Sequence, residues 1–387
     1  MRYIAKDIPL WQVTIWDKKF NNVDKKWQPK TIKYKYLLSD ELDSLRVDDG
    51  DVRILYTGKD VGFTTEELAG DRLSEGEIIS IPWGGIPTVK YHKGKFVTGD
   101  NRIATSNDID KLTNKYLYYF MRGNIHEIAS YYRGASLKHP CMKDILKMTI
   151  SYPSVQEQDK ICGQFDVLEQ IIEVRKQELQ LLDDLIKARF VEMFNLSDCI
   201  YKSLGECTDF VDYRGHTPEL SDEGIIRMVN AKSVGKGFFK YVDEFVTEET
   251  YDAWMHRGFG YPGDILFVTE GHTFGNTCLI PEDMTKFALG QRVITIKGKE
   301  EIKNAFLCSY MQTDMFWKDI NVYRTGGTAQ GIRSKDLVKV MVPIPPIEQQ
   351  IEFVRFVHKV DKSKVAVQKA LDETQLLFDS LMQKYFG

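Results

Sequence analysis

The chain has 387 residues, 43% of them hydrophobic, a net charge of −4 and six scattered cysteines. That length suits two or more domains with real cores, and the charge argues against a strongly basic nucleic-acid binder. No apolar run approaches the roughly 20 residues of a membrane span, the N-terminus lacks a signal-peptide core, and no CxxC pair or Cys/His cluster has metal-ligand spacing, so a reduced, cytoplasmic protein is expected.

Charge is uneven along the first stretch. Residues 1–35 hold nine Lys/Arg against three Asp, and SDELDSLRVDDGD (39–51) is acidic. Lys18, Lys19, Lys25 and Lys26 are candidates for tracking a phosphate backbone. Further along, the chain repeats itself. At an offset of 192, Lys143-Asp144-Ile145 meets Lys335-Asp336-Leu337, Pro153 meets Pro345 and Gln158 meets Gln350. At 190, Tyr116, Leu117, Phe120 and Met121 meet Phe306, Leu307, Tyr310 and Met311, and Arg102-Ile103 meets Arg292-Val293. At 187, Gly76-Glu77-Ile78 meets Gly263-Asp264-Ile265. Offsets that drift by a few residues are what loop insertions produce, so the chain is a tandem duplication.

The front part of each half mixes β-type runs, such as DILFVTEG (264–271) and RVITIKG (292–298), with a helix expected over 304–320. The back part opens with a proline motif, SYPSVQEQ (151–158) or VPIPPIEQQ (342–350), where proline disfavours helix before it and can start one after it. Heptads follow. The first seam is Ile161, Phe165, Leu168, Ile172, Arg175, Leu179, Leu182, Ile186, Arg189 and Met193. The second is Phe353, Val357, Val360, Lys364, Val367, Leu371, Thr374, Phe378, Leu381 and Tyr385. Each predicts a helix of about 50 Å, and each is the other's obvious partner. The heptads alone do not choose between parallel and antiparallel pairing.

Two mixed α/β globules, each followed by a proline–glutamine motif and a long helix, resemble the specificity subunit of a type I restriction–modification system. VPIPPIEQQ, the degenerate SYPSVQEQ and the loop VDYRGHTPE (211–219) carry the local likeness; Ser154 replaces a proline in the first copy, and no equivalent of the last loop occurs near residue 40. The resemblance implies an α+β chain of two tandem-duplicated target-recognition domains, 1–150 and 196–342, separated by helical spacers, 151–195 and 343–387, that form an antiparallel coiled coil. It implies that each globule reads one half of a split double-stranded DNA target, and that the helices set the gap and dock two methyltransferase subunits. Two translocating nuclease subunits would complete the assembly. The chain itself is expected to be non-catalytic and to hold no cofactor, with S-adenosylmethionine carried by the methyltransferase partner. Consistent with that, the only Pro-Pro is followed by Ile347, and Walker, HExxH and GxSxG patterns are absent.

Candidate DNA-binding residues fall in loops. YYRGASLKH (131–139) and VYRTGGTAQG (322–331) share a layout: Arg133, Gly134, Ser136 and Lys138 in one; Arg324, Gly326, Gly327, Thr328 and Gln330 in the other. Small residues allow close backbone approach, and glutamine suits adenine. A second set is Arg214, His216 and Thr217 with Lys232 and Lys236; a third is Lys59, Trp83 and Lys90 in the first globule with His272 and Thr273 in the second. Competing readings are a coiled-coil adaptor that binds proteins without DNA specificity, and a metal-dependent nuclease built on groupings such as Glu282-Asp283-Met284-Thr285-Lys286.

Overall fold

The computed structural model describes residues 3–17, 30–58, 61–213, 217–325 and 330–387. The chain divides into two compact units, 1–176 with 369–387 and 177–368. Each contains one globule and parts of both long helices.

The globules are built on one plan. In the first, strands Thr14–Asp17, Asn101–Ser106, Ser74–Pro82 and Lys90–Thr98 lie side by side in that order, every neighbour antiparallel. In the second, Thr208–Asp212, Val293–Gly298, Ile265–Val268 and Thr277–Leu279 repeat the order and the directions. Buried β-branched and aromatic residues such as Ile79, Ile81, Ile294 and Phe267 supply the apolar face such a sheet needs. The expected strands over 264–271 and 292–298 are shorter, Ile265–Val268 and Val293–Gly298.

The duplication reaches further toward the N-terminus than the sequence reveals. Ala5–Pro9 pairs antiparallel with Thr149–Tyr152, and Ile200–Ser203 pairs the same way with Met341–Ile344. A single helical turn follows each, closed by a hydroxyl: Thr14 Oγ1 donates to the Leu10 carbonyl and Thr208 Oγ1 to the Leu204 carbonyl, both at 2.5 Å.

The helix expected over 304–320 is two helices, Asn304–Tyr310 and Asp314–Val322. Thr313 ends the continuity, because its side chain accepts the Phe316 amide and caps a new N-terminus. The first copy is also divided, slightly later, at Asn124, into Asn114–Gly123 and Ile125–Ser130.

Behind each sheet, a buried glutamine ties the globule to its long helix, and an asparagine ties the sheet-backing helix to the sheet. Gln158 accepts the Thr113 amide through Oε1 (2.9 Å) and donates from Nε2 to the carbonyls of Lys111 (2.7 Å) and Pro153 (2.8 Å). Gln350 accepts from Lys303 (2.8 Å) and donates to Glu301 (3.0 Å) and Pro345 (2.8 Å). Asn114 and Asn304 accept the Ser106 and Gly298 amides, each at 2.6 Å, and donate back to Glu77 and Gly263. The proline–glutamine motif is therefore a staple. Proline leaves a carbonyl free of helix geometry, and the glutamine one turn later closes it against the start of the sheet-backing helix.

The long helices span Val155–Met193 and Ile347–Phe386. Within the second unit Asp183 meets Lys364 (2.6 Å), Arg189 meets Glu352 (3.4 Å) and the rings of Phe190 and Phe353 lie 5.5 Å apart. One helix advances while its partner retreats, so they run antiparallel. Within the first unit Phe165 packs on Phe378 (5.3 Å) and Phe386 (5.8 Å), the matching ends for that direction. The predicted seam is the packed one, with Ile161, Phe165, Ile172, Phe353, Val360 and Phe378 all buried. Polar seam residues find partners: Lys364 bonds Asp183, Arg189 bonds Glu192 and Glu352, and Thr374 donates to the Ala370 carbonyl.

Candidate nucleic-acid interface

Strand register brings the scattered candidates together. In the first globule Pro82 faces Asn101 and Ser80 faces Lys90, so Asp17, Pro82, Lys90 and Asn101 share one end of the sheet. In the second, Asp212 faces Ile294 and Val268 faces Val293, and the chain re-enters at Thr277. The loops that leave these ends hold Trp83, His272 and Thr273; Lys90 opens the returning strand, and Tyr213 follows the strand end at Asp212. Of the sequence candidates, Lys59, Arg214, His216, Gly326, Gly327 and Thr328 lie outside the described residues, as do Lys18, Lys19, Lys25 and Lys26.

The first candidate loop is a β-hairpin, and the described residues that flank the second pair in the same antiparallel way. Tyr132–Arg133 pairs with His139–Pro140, and Thr325 exchanges both backbone bonds with Gly331 (2.9 and 3.0 Å). Gly134 has φ of 141°, and a Cβ there would lie 2.3 Å from the Leu137 carbonyl oxygen, so the tip needs glycine. Each hairpin rests on the loop that follows the central strand, and the joint is the same. The amide of Gly85, at φ 92°, donates to the Lys138 carbonyl (3.3 Å); that of Gly271, at φ 95°, donates to the Gln330 carbonyl (3.0 Å). Lys138 and Gln330, which differ in chemistry, thus occupy equivalent, backbone-anchored positions. Ser136 and Lys138 are exposed, and Gln330 is half-buried.

Other candidates are engaged within the fold. Arg133 pairs with Asp144 (2.7 Å) on the surface, and half-buried Arg324 donates to Asn321 (3.2 Å). Lys90 donates to the carbonyls of Tyr56 (2.6 Å) and Gly58. Trp83 is half-buried, its ring 4.5 Å from the Arg102 guanidinium and 5.2 Å from the His139 ring. Lys232 is exposed and pairs with Glu244, whose carboxyl is held below its usual range by that bond. Thr217, Lys236 and His272 are exposed. The loop of Lys232 and Lys236 is tied to the same sheet end, since Asn276 donates to the Val234 carbonyl (3.0 Å) and Gly237 to that of Thr277 (2.8 Å).

Two arginines at matched sheet positions behave differently, which sequence matching alone does not show. Arg102 is 3% exposed and Asp17 is fully buried, with Nη1 to Oδ1 at 3.0 Å; Arg102 also pairs with Asp100, and the second oxygen of Asp17 accepts the Ile103 amide (2.8 Å). The aromatic faces of Trp83 and Tyr36 flank the guanidinium, and burial pushes the Tyr36 phenol far up. Arg292 by contrast is about half exposed and pairs with Glu270 at the rim.

The remaining chemistry is sparse. Among the described residues no three His, Cys, Asp or Glu side chains are grouped to hold a metal, and no helix is long and apolar enough to cross a membrane. The 282–286 grouping is a turn whose charges face separate partners: Asp283 accepts from Tyr241 (2.7 Å), and Lys286 bonds Glu248 (3.0 Å). All six cysteines are free thiols, and burial pushes those of Cys162 and Cys308 up to about 12, so neither is a ready nucleophile at neutral pH.

The family described as Type I restriction modification DNA specificity domain matches twice, over residues 43–183 and 210–374. The type I restriction enzyme EcoDI specificity subunit of Escherichia coli is 22% identical over 342 residues, covering 77% of this chain and 74% of that protein. The EcoR124I/EcoR124II specificity subunit, also from Escherichia coli, is 24% identical over 280 residues, or 67% and 66% of the two chains. The crystal structure of a type I restriction–modification S subunit from M. genitalium superposes with a TM-score of 0.61 at 17% identity, covering 99% of this chain and 96% of that one, and so shares the fold. With both halves matched and the duplicated sheet-and-helix plan present, the chain belongs to the type I restriction–modification DNA specificity family.

Proposed function

We propose that the chain is the non-catalytic DNA-reading subunit of a type I restriction–modification complex, and that each globule reads one half of a bipartite target. The observation that carries this is the matched pair of hairpins, anchored identically at Gly85–Lys138 and Gly271–Gln330 yet presenting different side chains. The same mounting with different side chains, Lys138 in one and Gln330 in the other, is what two independent readers of different sequences require. The parts the halves share, the proline–glutamine staples and the helices, are the surfaces on which two methyltransferase subunits would dock, with S-adenosylmethionine carried by those partners; translocating nuclease subunits would join the same assembly.

A net charge of −4 leaves the isolated chain weakly attracted to DNA, because phosphate neutralisation supplies most non-specific affinity. Tight binding then depends on the methyltransferase partners. The helices set the gap between half-sites. Adding one heptad to both, which preserves their seam, lengthens the spacer by about 10 Å, or about three base pairs.

The test is methylome sequencing of cells that carry variants of this chain with its partner subunits. Gln330→Ala and Arg324→Ala should lower methylation at one half-site about tenfold or more and leave the other half's preference unchanged; Lys138→Ala and Arg133→Ala should do the converse. Simultaneous change at both halves would overturn independent reading, and site-specific nanomolar binding by the purified chain alone would overturn the partner requirement. A purified chain that captures proteins but never alters the methylome would favour the adaptor reading.

A further inference from the structure

We propose that Arg292 and Glu270 form a base-reading pair of the second globule, Arg292 donating to the guanine and Glu270 accepting from the cytosine of one G·C pair in the major groove. This deepens the reading of that globule as a DNA reader and rests on it.

Arg292 is one of two non-glycine residues with positive φ among the described residues, at 70°. It stands immediately before strand Val293–Gly298, and its carbonyl accepts the Thr269 amide at 2.8 Å. Glycine would adopt that backbone without strain, so the arginine is kept at a cost to the fold. Its side chain does not offset the cost. It is 53% exposed, and Glu270, which it meets through Nε at 2.9 Å, is 51% exposed. Ion pairs this open to water add little stability.

The position answers what stability does not. Glu270 forms a β-bridge with Gly331, and Gly271, the next residue, holds the Gln330 carbonyl. The pair therefore sits beside Gln330 and Gly331. In the first globule the matched arginine, Arg102, is consumed by Asp17 and Asp100 inside the fold. Only the second globule leaves this arginine at the surface.

The neighbouring carboxylate decides between phosphate and base. A lone arginine suits either, but Glu270 would repel phosphate oxygens brought next to it. The same carboxylate accepts from cytosine N4, while a guanidinium donates to guanine O6 and N7. An Arg–Glu pair matches the two edges of a G·C pair, and each side chain holds the other in place until base edges replace it.

The experiment uses the complex assembled with its methyltransferase subunits on a DNA library randomised across both half-sites. The wild type should show an invariant G·C position in the half-site that Gln330→Ala disturbs. Arg292→Ala should relax discrimination at that one position roughly 10- to 100-fold, and Glu270→Gln should relax it by less. Arg292→Gly, which removes strain with the side chain, should relax it equally while the thermal midpoint holds or rises, so loss of folding is separated from loss of reading. A wild-type half-site with no invariant G·C pair would overturn the assignment. So would a uniform loss across all positions with a shallower salt dependence, the mark of a phosphate contact. If the wild-type complex shows no half-site preference at all, the broader reading of the globules fails instead.

Discussion

The two globules share a four-stranded sheet, a hydroxyl-closed first turn, a buried glutamine with its companion asparagine and a hairpin joint, and differ in nearly everything attached to them. The first extends its sheet to seven strands, adding Val52–Leu55 parallel to Lys90–Thr98, then Val61–Thr64, with Thr31–Ile32 at the opposite edge. The second instead builds a separate three-stranded sheet from Phe245–Val246, Ile226–Val229 and Phe287–Leu289. Elements that attach a globule to its helix are constrained by a common partner geometry, so both copies keep them. Elements at the free edge of the sheet carry no such constraint. The comparison thus sorts mounting from reading, and residues on either side of that division should respond differently to mutation.

The largest contrast is between the matched arginines. Arg102→Ala leaves Asp17 buried without its cation and should cost about 3–5 kcal/mol. Arg292→Ala removes an exposed pair and should change stability by about 0.5 kcal/mol or less. Denaturant unfolding of the full chain, fitted as two units, measures both. Equal costs would mean that burial does not distinguish these positions.

The staples should show the opposite, a symmetry. Gln158→Leu and Gln350→Leu each orphan one amide and two carbonyls in a buried site, and each should cost about 2–3 kcal/mol in its own unit. A large effect in one and none in the other would show that the copies are not mounted alike. Smaller still are the first turns. Thr208→Val removes the buried hydroxyl's bond to the Leu204 carbonyl and should cost about 1 kcal/mol, whereas Thr14→Val also takes the acceptor from the buried Trp16 indole N–H (2.9 Å) and should cost about 2 kcal/mol, read as unequal shifts in the two unfolding midpoints.

Much of this mounting was legible in the sequence, because it repeats. The heptads gave the seam residue by residue, and the proline–glutamine motif marked both helix starts. What the motif does was not legible, since the amides closed by Gln158 and Gln350 belong to residues 45 and 47 positions upstream. The N-terminal repeat was missed for a related reason: Thr14 and Thr208 perform one task through backbone partners, so the residues around them are free to diverge. Within each globule, register gathered the described loop candidates on one sheet end, which spacing could not do. Arg102 and Arg292 look equivalent in sequence; their fates depend on Asp17 and Asp100 in one globule and on Glu270 in the other.

The smallest predicted effect lies in the seam, where copies again differ by one residue. Ile172 of the first helix is buried, and the matched residue of the second is Lys364, whose ammonium bonds Asp183 at 2.6 Å and approaches Asp361 at 3.9 Å. Lys364→Ile should be neutral or stabilising by up to about 1 kcal/mol near neutral pH, because an apolar seam residue replaces a half-buried ion pair. Asp183→Ala should instead destabilise by about 1 kcal/mol, since it leaves the ammonium against the seam without its closest carboxylate. The pH dependence sharpens the test. Burial raises the Asp361 carboxyl above its ordinary value while Lys364 pulls it down. Removing Lys364 leaves only His358 to oppose burial and Asp183, so the carboxyl rises further. A carboxyl raised in the fold contributes stability that is full below its unfolded pKa and is lost as pH rises through the folded one. The advantage of Lys364→Ile over the wild type should therefore be larger at about pH 4 than at about pH 7. A pH-independent difference would mean that Lys364 acts on the seam by packing alone.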